Sequence, residues 1–445
     1  MTYSPTPRSD VAAKVTSDCA CPDGGIATAL ASRRTALRGA GLAGLATVFG
    51  SAVVSYGSTE AHGTPAAQTA QAAAGDATLG GVIVVLSMRG ACDGLSLVVP
   101  HGDPVYYQAR PQISIDSGSL LAKDGMFGLH PELRPLLDLW NGGKLAAVHA
   151  TGLRIANRSH FSAMEEVEDA DPGSSERVGW LNRLLGDTRG TSPVQGIQLG
   201  GGTVPTSMLG PAASLSLGSL DDSTIAGEDQ WDTDGGRRKA LTQQFGTGGA
   251  EMGAAMRAVM AATDTLEGAR KVADNTRRYP NSDLGRALAD VSRTIKGDVG
   301  LQIATVDHGD WDMHTDIGTL GWGRMKRNVS EFAEAIAAFF ADLAHHADRV
   351  TLVTISEFGR RVQENANWGL DHGWGNVMFV AGAGVKGGRY YGTWPGLENS
   401  FNADLTVTTD YRSVLAEVIS ARSTVSTARV FPHFNPETHG FMRTS

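Results

Sequence analysis

Two short stretches pair an imidazole with carboxylates. His314 follows Asp310 and Asp312 in HGDWDMHTD, and His372 follows Asp371 in GLDHGWG. Neutral imidazole and carboxylate are the donors of a zinc centre, and catalytic zinc sites keep one position for water or substrate. A His beside an Asp on one loop is more often just a hydrogen-bonded pair, because buried polar groups find partners. Here both pairs lie close to apolar runs, and other polar groups occupy the same kind of position. Glu357 follows the run Val350 to Ile355, Asp93 follows the run that opens at Gly81, and Ser159 and His160 precede a helical pattern carrying Glu165, Glu166 and Glu168. The candidate metal ligands are therefore Asp93, Asp310, Asp312, His314, Glu357, Asp371 and His372. Ser159 and His160 are the candidate catalytic pair, although Ser159 and Ser162 also suit helix N-caps and Ser162 with Glu165 fits a capping box. Arg89 and Arg360 stand beside these clusters, and a guanidinium matches phosphate or sulfate in two-point geometry.

The elements that must position these groups are legible in the hydrophobic pattern. The runs GVIVVLS, Lys144 to Ala150, Leu301 to Asp307 and Val350 to Ile355 are apolar without alternation, the pattern of strands buried on both faces. Val329, Phe332, Ile336, Phe339, Phe340 and Leu343 recur at helical spacing and predict a crossover helix into the last of these strands. Strands separated by helices form a parallel sheet, and ligands bind beyond the carboxyl ends of such strands. The predicted fold is α/β, a mostly parallel central sheet with helices on both faces. Between 171 and 300 the pattern changes to loops and short strands, with helices over Ala250–Asn275 and Asp283–Lys296. This region reads as an inserted cap, with lateral continuation of the same domain as the alternative. Asp410 is placed to cap a helix within Asp404 to Arg422.

The chain has 445 residues and a net charge of −9, which gives no electrostatic footing for nucleic acid or an anionic membrane. Arg33 and Arg34 precede a weakly apolar segment, Gly39 to Val54, shorter than the roughly 20 residues of a membrane span. Residues 1–75 resemble a twin-arginine signal peptide and linker, with cleavage after Ala61, Ala67 or Ala74 and the working domain over 76–445. That resemblance implies the twin-arginine translocase as an export partner, an extracellular or periplasmic/cell-envelope destination, and no stable membrane span after cleavage. Cys19 and Cys21 leave with the leader, so Cys92 has no partner for an intramolecular disulfide.

The segments RGACDGLSLVVP, FGLHPEL, SHFSAMEEVE, GWLNRLL, DWDMHTD, SEFGRRVQEN, GLDHGWG and TTDYR, in this order, resemble an exported bacterial family of unknown function within the alkaline phosphatase and sulfatase superfamily. The resemblance implies an alkaline-phosphatase-like three-layer sandwich and a metal-dependent hydrolase of phosphate or sulfate esters, small or polymeric. It implies one or two divalent ions, zinc first, otherwise calcium, magnesium or manganese. It places Asp93 and His372 as metal ligands, Ser159 at the nucleophile position, and Asp310 or Asp312 with His314 in one metal motif. Glu357 followed by Phe358 stands where a working phosphatase of the superfamily has Asp followed by His, which removes a ligand. The alternative reading is a non-catalytic envelope or extracellular polymer-binding or assembly protein on the same fold.

Overall fold

The computed structural model describes residues 46–49, 52–55 and 77–443, apart from 173, 175–176, 191, 229–230 and 247–250. These lie within one compact unit, Leu42–Ser445. The twin-arginine pair and the three candidate cleavage points lie outside the described residues.

The strands are β1 (Ala46–Phe49), β2 (Ala52–Ser55), β3 (Val82–Met88), β4 (Val98–Val99), β5 (Gly128–Leu129), β6 (Leu145–Gly152), β7 (Gly196–Leu199), β8 (Ser214–Leu217), β9 (Ile303–His308), β10 (Val350–Ile355), β11 (Asn376–Gly382), β12 (Arg389–Tyr391) and β13 (Thr409–Asp410). All but β4 and β5, which pair with each other, belong to one sheet ordered β1-β2-β8-β7-β9-β3-β10-β11-β6-β12, with β13 also on β6. The centre, β7-β9-β3-β10, is parallel throughout. The unalternating runs are explained by burial on two sides. Every residue of β3 is buried; Val82, Val84, Leu86 and Met88 face one core, and Ile83 and Val85 face the other. The first core is closed by the helices Glu251–Arg270, Asp283–Lys296 and Arg324–Leu343, the second by His160–Asp169, Trp180–Asp187 and Tyr411–Arg422. The predicted crossover helix is Arg324–Leu343, and the apolar stripe read from the sequence is its buried face. Asp410 caps the helix Tyr411–Arg422 by accepting from the Arg412 amide.

Two features differ from the sequence reading. Residues 171–300 contribute β7 and β8 to the central sheet, so this region continues the domain laterally instead of standing apart as a cap. The apolar run at Asn376 forms a strand antiparallel to both β10 and β6. Its start therefore lies beside their carboxyl ends, and the loop feeding it, which carries Asp371 and His372, arrives at the same sheet edge as the loops after β3, β6, β9 and β10.

Candidate metal centre

Four segments deliver imidazoles and carboxylates to that edge. His160 is the first residue of the helix that follows β6; Asp312 and His314 lie on the loop after β9; Glu357 follows β10; Asp371 and His372 precede β11. Glycines allow the loops to interlock. A Cβ on Gly369 would sit 2.0 Å from the His314 carbonyl oxygen, and one on Gly373 would sit 2.3 Å from the Arg360 carbonyl carbon, so neither position accepts a side chain without moving a site residue.

The ring nitrogens of three histidines converge. His372 Nε2 is 3.0 Å from His160 Nε2 and 2.9 Å from His314 Nε2. Asp312 completes the group: its carboxylate is 3.7 Å from His160 Nε2, 3.2 Å from His314 Nε2 and 3.7 Å from His372 Nε2. His160, Asp312 and His372 offer ligand atoms mutually within 4.8 Å. His314 forms a second triad with the same Asp312 and His372. Two donors on one tetrahedral zinc with bonds of about 2.0 Å lie roughly 3.3 Å apart, the middle of this range.

The other ring nitrogens explain the arrangement. His160 Nδ1 is 2.8 Å from Glu357 Oε1, His314 Nδ1 is 3.2 Å from Asp371 Oδ1, and His372 Nδ1 is 2.8 Å from the Arg158 carbonyl. Each partner is an acceptor, so each Nδ1 carries the proton, and a neutral ring then presents a bare Nε2. Lone pairs from neighbouring rings and a carboxylate converge on one small volume, beside the Arg360 guanidinium, whose Nη1 stands 3.5 Å from His314 Nε2. Burial opposes charge on His160, but Asp312 and Glu357 outweigh it and raise its pKa to about 9. Burial likewise works against ionised Asp312, yet His160, His314, His372 and Arg360 hold its carboxyl far below the usual range. Glu357 is buried, which would raise it; His160, its own backbone amide and the Gly90 amide keep it low.

Arg360 is buried and fully engaged. Its guanidinium donates to the carbonyls of Ala91, Leu370, Gly90 and Trp311 and, at 2.6 Å, to Asp312 Oδ1. It ties three site loops together and orients Asp312, leaving no free face for an anionic substrate. Arg89 is also committed, to Glu168 at 2.6 Å and Asp307 at 3.0 Å. Asp93 is not brought into the cluster. Both its oxygens are taken by Arg110, at 2.5 and 2.9 Å, in a fully buried pair. Ser159 is the exposed N-cap of its helix, and its side chain neither caps that helix nor hydrogen-bonds to a cluster member among the described residues. Asp310 is exposed at a positive φ of 63°, with its carbonyl accepting from Arg324. Glu357 and Asp371 orient imidazoles from behind. Phe358 packs against His160 and His372 with ring centroids 4.9 and 5.0 Å away.

The sequence reading missed Arg110, Arg158, Asn365 and Asp404. Asn365 donates to Asp371 and to the His314 carbonyl. Asp404 pairs with both Arg158 and Arg361 and thereby fixes the carbonyl that holds His372. None carries a local signal, since each acts through a contact distant in sequence.

Fold and site together define an α/β protein with a histidine and carboxylate cluster beyond the carboxyl ends of its central strands. The chain belongs to the family described as a protein of unknown function (DUF1501), whose model matches residues 144–415. That span holds every histidine and carboxylate of the cluster. No curated protein matches the chain.

Proposed function

We propose that this protein is an exported, metal-dependent hydrolase of phosphate or sulfate esters, built on an alkaline-phosphatase-like sandwich. The observation that carries the reading is the convergence of imidazole Nε2 atoms and the Asp312 carboxylate, with every Nδ1 anchored to its own acceptor. His160, Asp312 and His372 hold the ion, and His314 stands against the same two shared residues. A nitrogen-rich donor set with one carboxylate favours zinc; calcium and magnesium prefer oxygen alone, and manganese prefers carboxylate. A triad leaves room for water or substrate, as catalytic sites require. A bound divalent ion supplies Lewis acidity, polarising an ester oxygen and acidifying water. The chain's own residues do the rest: Glu357, Asp371 and the Arg158 carbonyl fix ring orientation, Arg360 holds Asp312, and His314 is placed to exchange a proton at Nε2. The exposed, uncoupled Ser159 favours attack by water over attack by serine.

The second reading, a polymer-binding or assembly protein, draws support from Asp93 locked by Arg110 and from Phe358 in the ligand position. Both readings retain export by the twin-arginine translocase to the periplasm, envelope or exterior. Elemental analysis of protein purified without chelator, followed by assay on aryl phosphates and sulfates, separates them. Metal at one equivalent with turnover supports the hydrolase. Metal-free protein that stays inactive after zinc is added refutes it.

A further inference from the structure

A pair of exposed tryptophans stands beside the histidine cluster, held there by an unbroken set of contacts. The loop that carries His314 and the loop that ends in Asp371 and His372 run alongside each other. The Leu370 amide donates to the Met313 carbonyl at 3.0 Å, the Ile317 amide to the Trp368 carbonyl at 2.8 Å and the Asp316 amide to the Asn367 carbonyl at 3.2 Å. Asp371 Oδ1, which accepts from His314 Nδ1, also accepts from Asn365 Nδ2 at 3.1 Å. Asn365 Oδ1 in turn takes the amides of Asn367 and Gly369, one on each side of Trp368. Hydrogen bonds therefore lead from His314 through Asp371 and Asn365 to the backbone around Trp368. The Trp368 ring meets that of Trp322 with centroids 5.7 Å apart and planes inclined at 56°. Both rings remain in solvent, 37% and 47% exposed. Rings that served only to complete a core would be covered; these are tied to the site and left open.

The charge beside the pair selects the occupant. Asp316 lies between the two tryptophan segments: its amide is bonded to Asn367, next to Trp368, and its carbonyl accepts at 2.9 Å from the amide of Arg324, just past Trp322. Its exposed carboxylate has no hydrogen bond or ion pair among the described residues. Asp371, also exposed, is engaged through Oδ1 alone. The neighbouring cation, Arg324, directs its Nη atoms to the Asp312 and Asp310 carbonyls. Indole is the best of the aromatic faces for a cation, and rings flanked by open carboxylates recognise ammonium groups. We infer that Trp322 and Trp368, with Asp316 and Asp371, form a subsite for an ammonium group, so that the ester taken at this edge is zwitterionic, its cationic end on the rings and its anionic end at the metal centre. The anionic end rests on the hydrolase reading; the ammonium subsite rests on the contacts above. A sugar ring also stacks on tryptophan, but it needs donors as well as acceptors, and the charged groups open here only accept. The net charge of −9 favours a cationic group in the same sense.

The test is a ligand-observed NMR titration of the full chain, at fixed ionic strength, with choline, with the uncharged alcohol in which carbon replaces its nitrogen, and with methyl glucoside. Choline is expected to bind about fivefold more tightly than its carbon isostere, the scale of a cation–ring contact at an exposed site. W322A should bring choline down to the level of the isostere, and D316N should weaken choline about threefold without affecting the isostere, as loss of one exposed charge partner does. Helicity by circular dichroism and zinc content should stay at wild-type values in both, and D316N, which keeps the shape of the side chain, decides the matter should W322A fold poorly. Choline bound no better than its isostere, a folded W322A or a D316N that binds choline as wild type does, or a preference for methyl glucoside would each overturn the proposal. A chain that binds choline as expected yet hydrolyses neither phosphocholine nor aryl phosphates and sulfates keeps the subsite and loses the hydrolase reading. One that hydrolyses aryl esters with no preference for choline keeps the hydrolase reading and loses the subsite, so the two failures are distinguishable.

Discussion

The overlap of the two triads makes the histidines unequal, and that inequality is measurable. His372 and Asp312 belong to both triads, whereas His160 and His314 belong to one each. Substituting His372→Ala destroys both sets and leaves no three donors within reach of one ion. Substituting His314→Ala leaves His160, Asp312 and His372 complete. Outer partners alone are worth about 10- to 100-fold in metal affinity, so loss of a shared ligand should exceed 100-fold, or more than about 3 kcal/mol. Loss of His314 should fall within that outer-partner range. The measurement is competition of metal-stripped protein against a chromophoric zinc chelator at fixed pH, with the stoichiometry checked by elemental analysis. The expected order of zinc affinity is wild type, then H314A, then H372A. A variant order in which H314A binds more weakly than H372A, or an H372A protein with undiminished affinity, would refute the shared-ligand geometry.

Three further outcomes follow from the same contacts. E357Q and D371N keep shape while replacing the anionic acceptors of His160 and His314 by amides; each should weaken zinc binding about 10- to 100-fold while leaving the melting temperature of the metal-free protein near wild type. Phe339, fully buried on the crossover helix, should cost about 3–5 kcal/mol as F339A in urea unfolding, since the sheet beneath cannot collapse to fill the space. Acid should destabilise the fold through His130 and His149, whose burial pushes each pKa down to about 4. Both are neutral in the folded state and take up protons on unfolding below the ordinary value of about 6.5. Their stabilisation is therefore complete above that pH and is lost as pH falls towards 4, by at most about 3 kcal/mol per residue. Unfolding titrations of chelator-treated protein across this window should show it, and H149F, which replaces a ring already packed on Phe127, should reduce the slope by one proton. An unchanged slope in H149F would contradict the assignment.

What the sequence could and could not disclose follows from which interactions are local. Strand and helix identity came through because burial on two faces and one-sided burial leave different periodicities in consecutive residues, as in Val82 to Met88 and Val329 to Leu343. The direction of β11 did not, because an apolar run reads the same either way; only its pairing with β10 and β6 sets its sense, and that sense brings His372 to the site. Residue type announced the imidazoles and carboxylates, but the layer in which each acts depends on geometry. His160, expected to work beside Ser159, points its Nε2 into the cluster, while Glu357 and Asp371, expected to bind metal directly, grip the back of a ring. Of the two arginines expected to greet a substrate, Arg360 is used up inside the protein because a buried guanidinium needs its full set of acceptors and finds four carbonyls and Asp312, while the half-buried Arg89 is held in ion pairs with Glu168 and Asp307. On the hydrolase proposal, recognition of an anionic ester at this edge would therefore fall to the bound ion and to groups still facing solvent. The latter include the exposed Arg154, on the same loop as Ile155 and six residues before His160. On the hydrolase proposal, a bound divalent ion would stand among the converging lone pairs and supply the positive charge that Arg360 has spent on architecture.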